Sequence, residues 1–359
     1  MGEKDFYMDE LFRNITVQSR VIKKTAKHIE IVASANPRMS AMALKSQQAV
    51  YKTLSAEYTE VNITHIDTMA DLQALVAKKP DLVVLGMQLI LLDPTVSYEK
   101  SPKIWLAQYL TAHGINFTGS TAQALMLEFN KPEAKQIVID AGLKSAAYMI
   151  APVGQPLAKH SLQFPLFVKP ANRASSKGID EMSVVYADAE LAAKVRVIHT
   201  EYGADALIEE YLPGREFSVA VIRQPRSNML RAMPIEISSP ADVNGNAFLS
   251  RAVKVSDSEE VLRVTDQVLK NALNALAIGV FKALGARDYG RIDMRLDITG
   301  KPCFIEANLM PGLSRHGYLL RCFTMLNRTS YEHMILSIVR LAFERRLTPR
   351  KTLAGTQSV

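Results

Sequence analysis

The residues that could do chemistry are concentrated between Gly290 and Gly312, in the run G-R-I-D-M-R-L-D-I-T-G-K-P-C-F-I-E-A-N-L-M-P-G. Its alternation predicts two strands joined by a turn around Thr299-Gly300. In a hairpin symmetric about that turn, Asp293 lies opposite Glu306 and Arg291 opposite Asn308. Residues two apart share a face, so all four project the same way. Facing carboxylates repel, and a hard cation between them removes that cost. Magnesium takes oxygen ligands from one or two carboxylates and completes its shell with substrate phosphates. Asn308 adds a neutral oxygen, and Arg291 is a permanent cation suited to an oxyanion. The pattern predicts a magnesium–phosphate site. It also predicts that neutralising Glu306 relieves repulsion in the metal-free protein.

Two further segments carry candidate binding residues. Lys169 ends the apolar run F-P-L-F-V-K and enters P-A-N-R-A-S-S-K-G-I, where a point charge and closely approachable backbone N–H groups suit phosphate. Alone, that segment fits an ordinary turn equally well. L-I-E-E-Y-L-P-G-R-E-F places Glu209 and Glu216 on two strands flanking a Pro-Gly turn. Such carboxylates can accept ribose hydroxyl or adenine amino hydrogens, and the backbone of Glu210, Tyr211 and Leu212 can read a purine edge. A lone glutamate of this kind is also at home on a solvated strand edge; the company of the lysine loop and the hairpin favours the nucleotide.

The elements that must hold these residues follow from periodicity. Strand H-I-E-I-V-A-S-A, a helical pattern over about 40–55, strand E-V-N-I-T-H-I, helix 68–78 and strand D-L-V-V-L-G-M alternate as β-α-β-α-β, which predicts a doubly wound parallel sheet. I-N-F-T-G-S-T reads as its last short strand. Helix 130–142 starts at the cap signal Asn130-Lys131-Pro132 and stops at Gly142. Helix 188–202, one long helix 258–284 and a closing helix 330–346 complete the reading.

Composition bounds the rest. A chain of 359 residues with 48% hydrophobic and 22% charged residues is globular and long enough for two or three domains. Two cysteines, Cys303 and Cys322, make no disulfide framework, so a reducing, cytoplasmic setting is expected, with Cys303 a buried thiol. The first residues carry acids without an apolar core, unlike a secretory signal. The longest apolar run, near Leu82 to Leu92, is about half of the ~20 residues a membrane span needs and reads as a buried parallel strand with its loop. The net charge of +7 gathers largely at the two ends, with no basic stripe interleaved with aromatics. The partners expected are therefore small molecules, not nucleic acid or membrane, and a homodimer is compatible with the chain.

Taken in order, N-K-P-E-A-K (130–135), F-V-K-P-A-N-R-A-S-S-K-G-I (167–179), L-I-E-E-Y-L-P-G-R-E-F (207–217) and R-I-D…E-A-N-L-M-P-G resemble the ATP-grasp superfamily, most closely its D-alanine–D-alanine ligase branch. The resemblance covers about 28–346 and implies a mixed α/β and α+β, three-domain architecture. It divides into a leader 1–27, an N-terminal α/β domain 28–125, a central subdomain 126–205, a C-terminal subdomain 206–346 carrying the metal site, and a basic tail 347–359. By resemblance, Lys131 and Lys169 hold ATP phosphates, and Glu209 and Glu216 contact adenine and ribose. Asp293, Glu306 and Asn308 ligate two magnesium ions, for which manganese could substitute, and Lys254 closes on the phosphates from a loop. The implied reaction is ATP-dependent: a carboxylate takes the γ-phosphoryl group to give an acyl phosphate, and an amine then displaces phosphate. Arg291 and the Gly312 N–H would stabilise the tetrahedral oxyanion.

The chain departs from that family on the substrate side. The family's first loop bears a glutamate for the first substrate's ammonium; here A-S-A-N-P-R-M-S has no acid, Met39 stands at that position, and Arg38 precedes it. Gly317-Tyr318 replaces the Ser-Leu that holds the second substrate's carboxylate. The phosphate loop retains Ser175, by resemblance a catalytic candidate, while Val255 stands where the family has the tyrosine it pairs with. His316 is the one histidine near the site. The expectation is an amide-forming ligase on amino-acid-like carboxylate and amine substrates. A genuine D-alanine–D-alanine ligase is the alternative, and a non-catalytic nucleotide-binding module the remote one.

Overall fold

A computed structural model describes residues 24–345, apart from Ser97, Glu99, Ala174, Ser175, Val243 and Arg328. The expected leader up to residue 23, the tail from residue 346 and Ser175 lie outside the described residues.

The first unit is built on β1 (Thr25–Ala33), α1 (Leu44–Glu57), β2 (Tyr58–His65), α2 (Met69–Ala77) and β3 (Leu82–Leu85). The three strands pair in parallel in the order β2-β1-β3. All four residues of β3 are buried, as a parallel strand covered on both faces requires. Thr68 caps α2 in a reciprocal box with Asp71. The expected last strand, I-N-F-T-G-S-T, is reduced to a single parallel bridge, Val83↔Phe117. Beyond β3, the apolar run turns into β4 (Leu89–Leu91), which pairs antiparallel with β5 (Lys103–Trp105). Helices α3 (Leu106–Ala112) and α4 (Ala122–Met126) follow, then a 3-10 turn, Leu127–Phe129.

Helix α5 (Lys131–Asp140) begins as its sequence dictates: Asn130 Oδ1 accepts the Glu133 N–H at 3.3 Å, with proline in the first turn. Strands β6 (Tyr148–Ala151), β7 (Leu166–Pro170) and β8 (Val184–Val185), helix α6 (Asp188–Tyr202) and β9 (Ala206–Glu210) form a four-stranded sheet, β6-β9-β7-β8, with a core of its own. The 188–202 helix matches its sequence boundaries because Gly203, at φ +55°, ends it in the left-handed region.

The last unit contains β10 (Glu216–Arg223), β11 (Leu230–Ser238), α7 (Arg251–Ser256), β12 (Glu260–Arg263), α8 (Gln267–Ala283), β13 (Tyr289–Leu296), β14 (Pro302–Asn308), α9 (Tyr318–Asn327) and α10 (Tyr331–Glu344). Its antiparallel sheet runs β12-β11-β10-β13-β14. The single helix expected over 258–284 is corrected. Residues 260–263 pair with β11, and the helix starts only where the Asp266 carboxylate caps the Val268 and Leu269 N–H groups. Two large cores each combine residues from the first hundred positions with residues beyond 216, and α10 packs on the N-terminal α1 and β3. Both cysteines are buried free thiols.

Candidate active site

The hairpin of β13 and β14 sets the chemistry, and its register explains how. The turn closes with Asp297 N–H donating to Lys301 O and Gly300 at φ +77°, so its centre is Thr299 and not the Thr299-Gly300 bond. Near the turn, Met294 pairs with Phe304 and Arg295 with Cys303; a bulge at Ile305 then shifts the partner strand by one. Past it, Asp293 stands opposite Glu306 and Arg291 opposite Asn308, the pairing the sequence predicts. The correct facing pairs thus arise from an off-centre turn plus a compensating bulge.

Neither carboxylate is left to repel the other. Asp293 accepts from Arg291 Nε at 2.9 Å and Nη2 at 2.8 Å, from Ser218 Oγ at 2.7 Å and from Asn308 Nδ2 at 2.8 Å. Ser218 comes from β10, directly paired with Asp293, a neighbour the sequence reading missed. Glu306 Oε2 lies 3.6 Å from Lys131 Nζ. Burial would raise its carboxyl, but Lys131, Lys169, Lys254 and Arg291 hold it down at about 2. Among the described residues no cluster of three His, Cys, Asp or Glu side chains has metal-binding form. Two carboxylates and an amide are nevertheless a hard-cation donor set: Asn308 spends its Nδ2 on Asp293, which leaves its Oδ1 to donate.

Lys169 and Glu209 are buried together. Glu209 Oε2 is 2.6 Å from Lys169 Nζ and its Oε1 2.5 Å from Lys135 Nζ, so this carboxylate is gripped by two lysines. Burial would raise its carboxyl, and the two ammonium groups outweigh that and hold it near 2. Lys135 was not singled out from sequence; its signal was the one-turn spacing from Lys131 within N-K-P-E-A-K.

Two cavities meet at this hairpin. One is a narrow slot walled by Phe167, Phe248, Leu212 and Phe304, with Glu209, Glu216 and Arg295 on its polar side. Arg295 reaches Glu216 Oε2 at 3.4 Å and Tyr211 Oη at 3.0 Å, and was legible as the third member of the alternating R-I-D-M-R face. The N–H groups of Glu210 and Tyr211 already donate to Ala147 O and Pro165 O at 3.0 Å each, so any purine reading by that segment falls to Leu212 and the carbonyl oxygens. The other cavity, about 820 Å³, is bounded by Arg38, Met39, Arg291, Asn308, Gly312 and Tyr318, with Gly317 and His316 also on its wall. Tyr318 packs its ring 5.4 Å from the Arg291 guanidinium and donates its hydroxyl to Glu259, another residue the sequence reading missed. Lys254, on the short helix α7 and not on an open loop, and Glu306 line both cavities. Val255 is solvent-exposed.

A five-stranded antiparallel sheet and a four-stranded sheet, with buried lysines and a carboxylate hairpin at their junction, define an ATP-grasp ligase. The chain belongs to the D-alanine–D-alanine ligase family: residues 144–340 match the profile described as "D-ala D-ala ligase C-terminus". An uncharacterized protein, y4sG, of Sinorhizobium fredii is 30% identical over 233 residues, 65% of this chain and 68% of that one. A D-alanine–D-alanine ligase of Stutzerimonas stutzeri is 30% identical over 235 residues, 64% of this chain and 70% of its own. The fold is also that of the D-alanine–D-alanine ligase from Bacillus anthracis solved with ATP (TM-score 0.69, 21% identity, 89% of this chain and 97% of that one). The VanG D-Ala:D-Ser ligase from Enterococcus faecalis is similar too (TM-score 0.65, 19% identity, 89% and 100%). Among the described residues no helix is long and apolar enough to cross a membrane.

Proposed function

We propose that this ADP-forming ligase binds ATP in the aromatic slot and its carboxylate and amine substrates in the larger cavity, with phosphoryl transfer where the two meet. The observation that carries this reading is that Lys254 and Glu306 belong to both cavities. A γ-phosphoryl group spanning that point would have Lys254 and Lys131 around it and the substrate carboxylate ahead of it.

In this reading Lys131, Lys169 and Lys254 neutralise phosphate charge, and Glu216 with Arg295 orders the ribose end. Asp293, Glu306 and Asn308 would hold two magnesium ions, which when bound screen the transferring phosphoryl group. Arg291, fixed by its fork on Asp293 and by the Tyr318 ring, presents its remaining N–H capacity to the tetrahedral oxyanion with the Gly312 N–H. Gly312 suits that place, because a Cβ there would meet Ala41 O at 3.2 Å. No side-chain nucleophile is needed. Ser175 and Val255 take no assigned step, while Arg38, Gly317 and Tyr318 border the substrates. The three-unit division at 28–125, 126–205 and 206–346, a doubly wound N-terminal sheet, a cytoplasmic setting and a homodimer belong to the same proposal.

The test is ADP release in the presence of magnesium across pairs of D- and L-amino acids and short peptides, with mass detection of the product. Release that needs both a carboxylate and an amine, and an amide in the product, is expected. ADP release without a second substrate, or ATP binding without turnover on any pair, would overturn it.

A further inference from the structure

The larger cavity has a wall that the reaction above does not use. Glu128, in the 3-10 turn Leu127–Phe129, lines it together with Gln88, Leu89, Leu91 and Met39. Glu128 Oε1 accepts the Met310 N–H at 2.6 Å, and its Oε2 accepts Gln88 Nε2. Met310 leads directly to Gly312, so this carboxylate sits beside the segment assigned to the reacting centre. Its direct partners are neutral: among the described residues no lysine, arginine or histidine makes a salt bridge with Glu128, whereas Asp293 and Glu306 at the hairpin are each held by a cation. Glu259, on the same cavity and also without a cation among the described residues, takes the Tyr318 hydroxyl. Burial accordingly pushes the Glu128 carboxyl up to about 7. Gln88, having spent its amide N–H on Glu128, keeps a buried Oε1 with no donor among the described residues. A carboxylate held by neutral donors, next to an orphan acceptor and flanked by aliphatic side chains, lacks one thing: a cationic N–H donor.

We infer that Glu128 anchors the α-ammonium of the carboxylate substrate, which is therefore an amino acid with a free amino group and an apolar side chain lying against Met39, Leu89 and Leu91. This rests on the ligase reading and deepens it. It also answers the acid-free first loop: the missing charge is supplied from the turn before α5, on a different element of the same cavity. Arg38, exposed at the loop, offers an ammonium no opposite charge there.

The experiment compares DL-leucine with 4-methylpentanoate, which has the same skeleton without the amino group. Calorimetric binding is measured on the full chain with magnesium and β,γ-imido-ATP, and ADP release is followed in parallel. The wild type is expected to bind leucine at least about tenfold more tightly than 4-methylpentanoate, and Glu128→Gln to lose about ten- to a hundredfold in leucine affinity while 4-methylpentanoate is unaffected. Equal weakening of both probes would show that Glu128 only braces the Met310 segment, and would overturn the inference. So would a wild type that does not prefer leucine, a comparison that needs no variant to fold. Leucine binding that depends on Glu128, without ADP release on any amine, would leave the anchor standing and remove the ligase reading. Unchanged leucine-dependent ADP release in Glu128→Gln would do the reverse.

Discussion

Lys131 Nζ and Glu306 Oε2 stand 3.6 Å apart, tying the first turn of α5 to the site end of β14. Lys131 is buried, and burial lowers its pKa, so the lysine depends on that carboxylate to remain charged. The expectation that removing the Glu306 charge relieves repulsion with Asp293 is therefore corrected: Glu306 is surrounded by cations, and the Asp293 charge is offset by the Arg291 fork. Glu306→Gln is expected to lower stability in metal-free buffer by about 1–3 kcal/mol, the cost of leaving a buried charged group short of its partner. Magnesium-dependent turnover should fall at least about a hundredfold. Urea unfolding in EDTA and ADP release read the two effects. A variant more stable than wild type would return the repulsion argument to force.

Glu209 predicts a pH dependence. Its folded pKa, near 2, is below the unfolded carboxyl value of about 4.3. The folded state therefore binds fewer protons between these values, and stability falls with acid across that window: the stabilisation is full above about pH 4.3 and is lost as pH falls through about 2. Glu209→Gln should flatten this part of the stability–pH curve, and should also lower stability at neutral pH because Lys135 and Lys169 lose their shared partner. Chemical denaturation from pH 2 to 7 measures both.

Replacing Lys169 with alanine takes one of those cations from the slot. The ATP Michaelis constant is expected to rise at least about tenfold, the worth of a charged hydrogen bond. Wild-type nucleotide affinity in this variant would remove Lys169 from the phosphate site.

Arg291 makes a two-pronged contact with Asp293 while stacked on Tyr318. Lysine keeps the charge but cannot reproduce the fork or the stacking. Arg291→Lys is expected to cut kcat about a hundredfold or more while the ATP Michaelis constant changes little, since the oxyanion exists only after nucleotide is bound. Steady-state kinetics at saturating substrates separate these outcomes, and an equal loss in nucleotide affinity would place Arg291 on ATP instead.

What the sequence disclosed was the part governed by short-range rules. The Asp293/Glu306 and Arg291/Asn308 pairs follow from period-two alternation, and the start of α5 and the end of α6 follow from a local cap signal and a glycine. The bulge at Ile305 stayed hidden because its one-residue shift cancels the off-centre turn. The 258–284 error had a tertiary cause: V-L-R sits on the open edge of β11, and strand pairing there overrides helical spacing. Glu128, Ser218 and Glu259 were missed because each is brought in by an element distant in sequence from the residue it serves.

The final prediction concerns substrate choice. Tyr318 stands on the larger cavity with its ring on Arg291 and its hydroxyl committed to Glu259, so that position offers an aromatic wall and no free hydroxyl donor to a substrate carboxylate. A lost charged hydrogen bond is worth about 1.5–3 kcal/mol, or roughly one to two decades in specificity. D-Alanine as the sole amino acid is therefore expected to be a poor substrate pair, and a bulkier or differently held amine to be preferred. Competition decides: the enzyme is incubated with ATP, magnesium and D-alanine beside a mixed amino-acid pool, and the products are weighed. Dominant D-alanyl-D-alanine with an ordinary specificity constant would show that the Gly317-Tyr318 segment and the acid-free first loop are tolerated variation on the relatives' named activity. A mixed amide carrying an apolar amino acid at its carboxylate position would bear out both the Tyr318 wall and the Glu128 anchor.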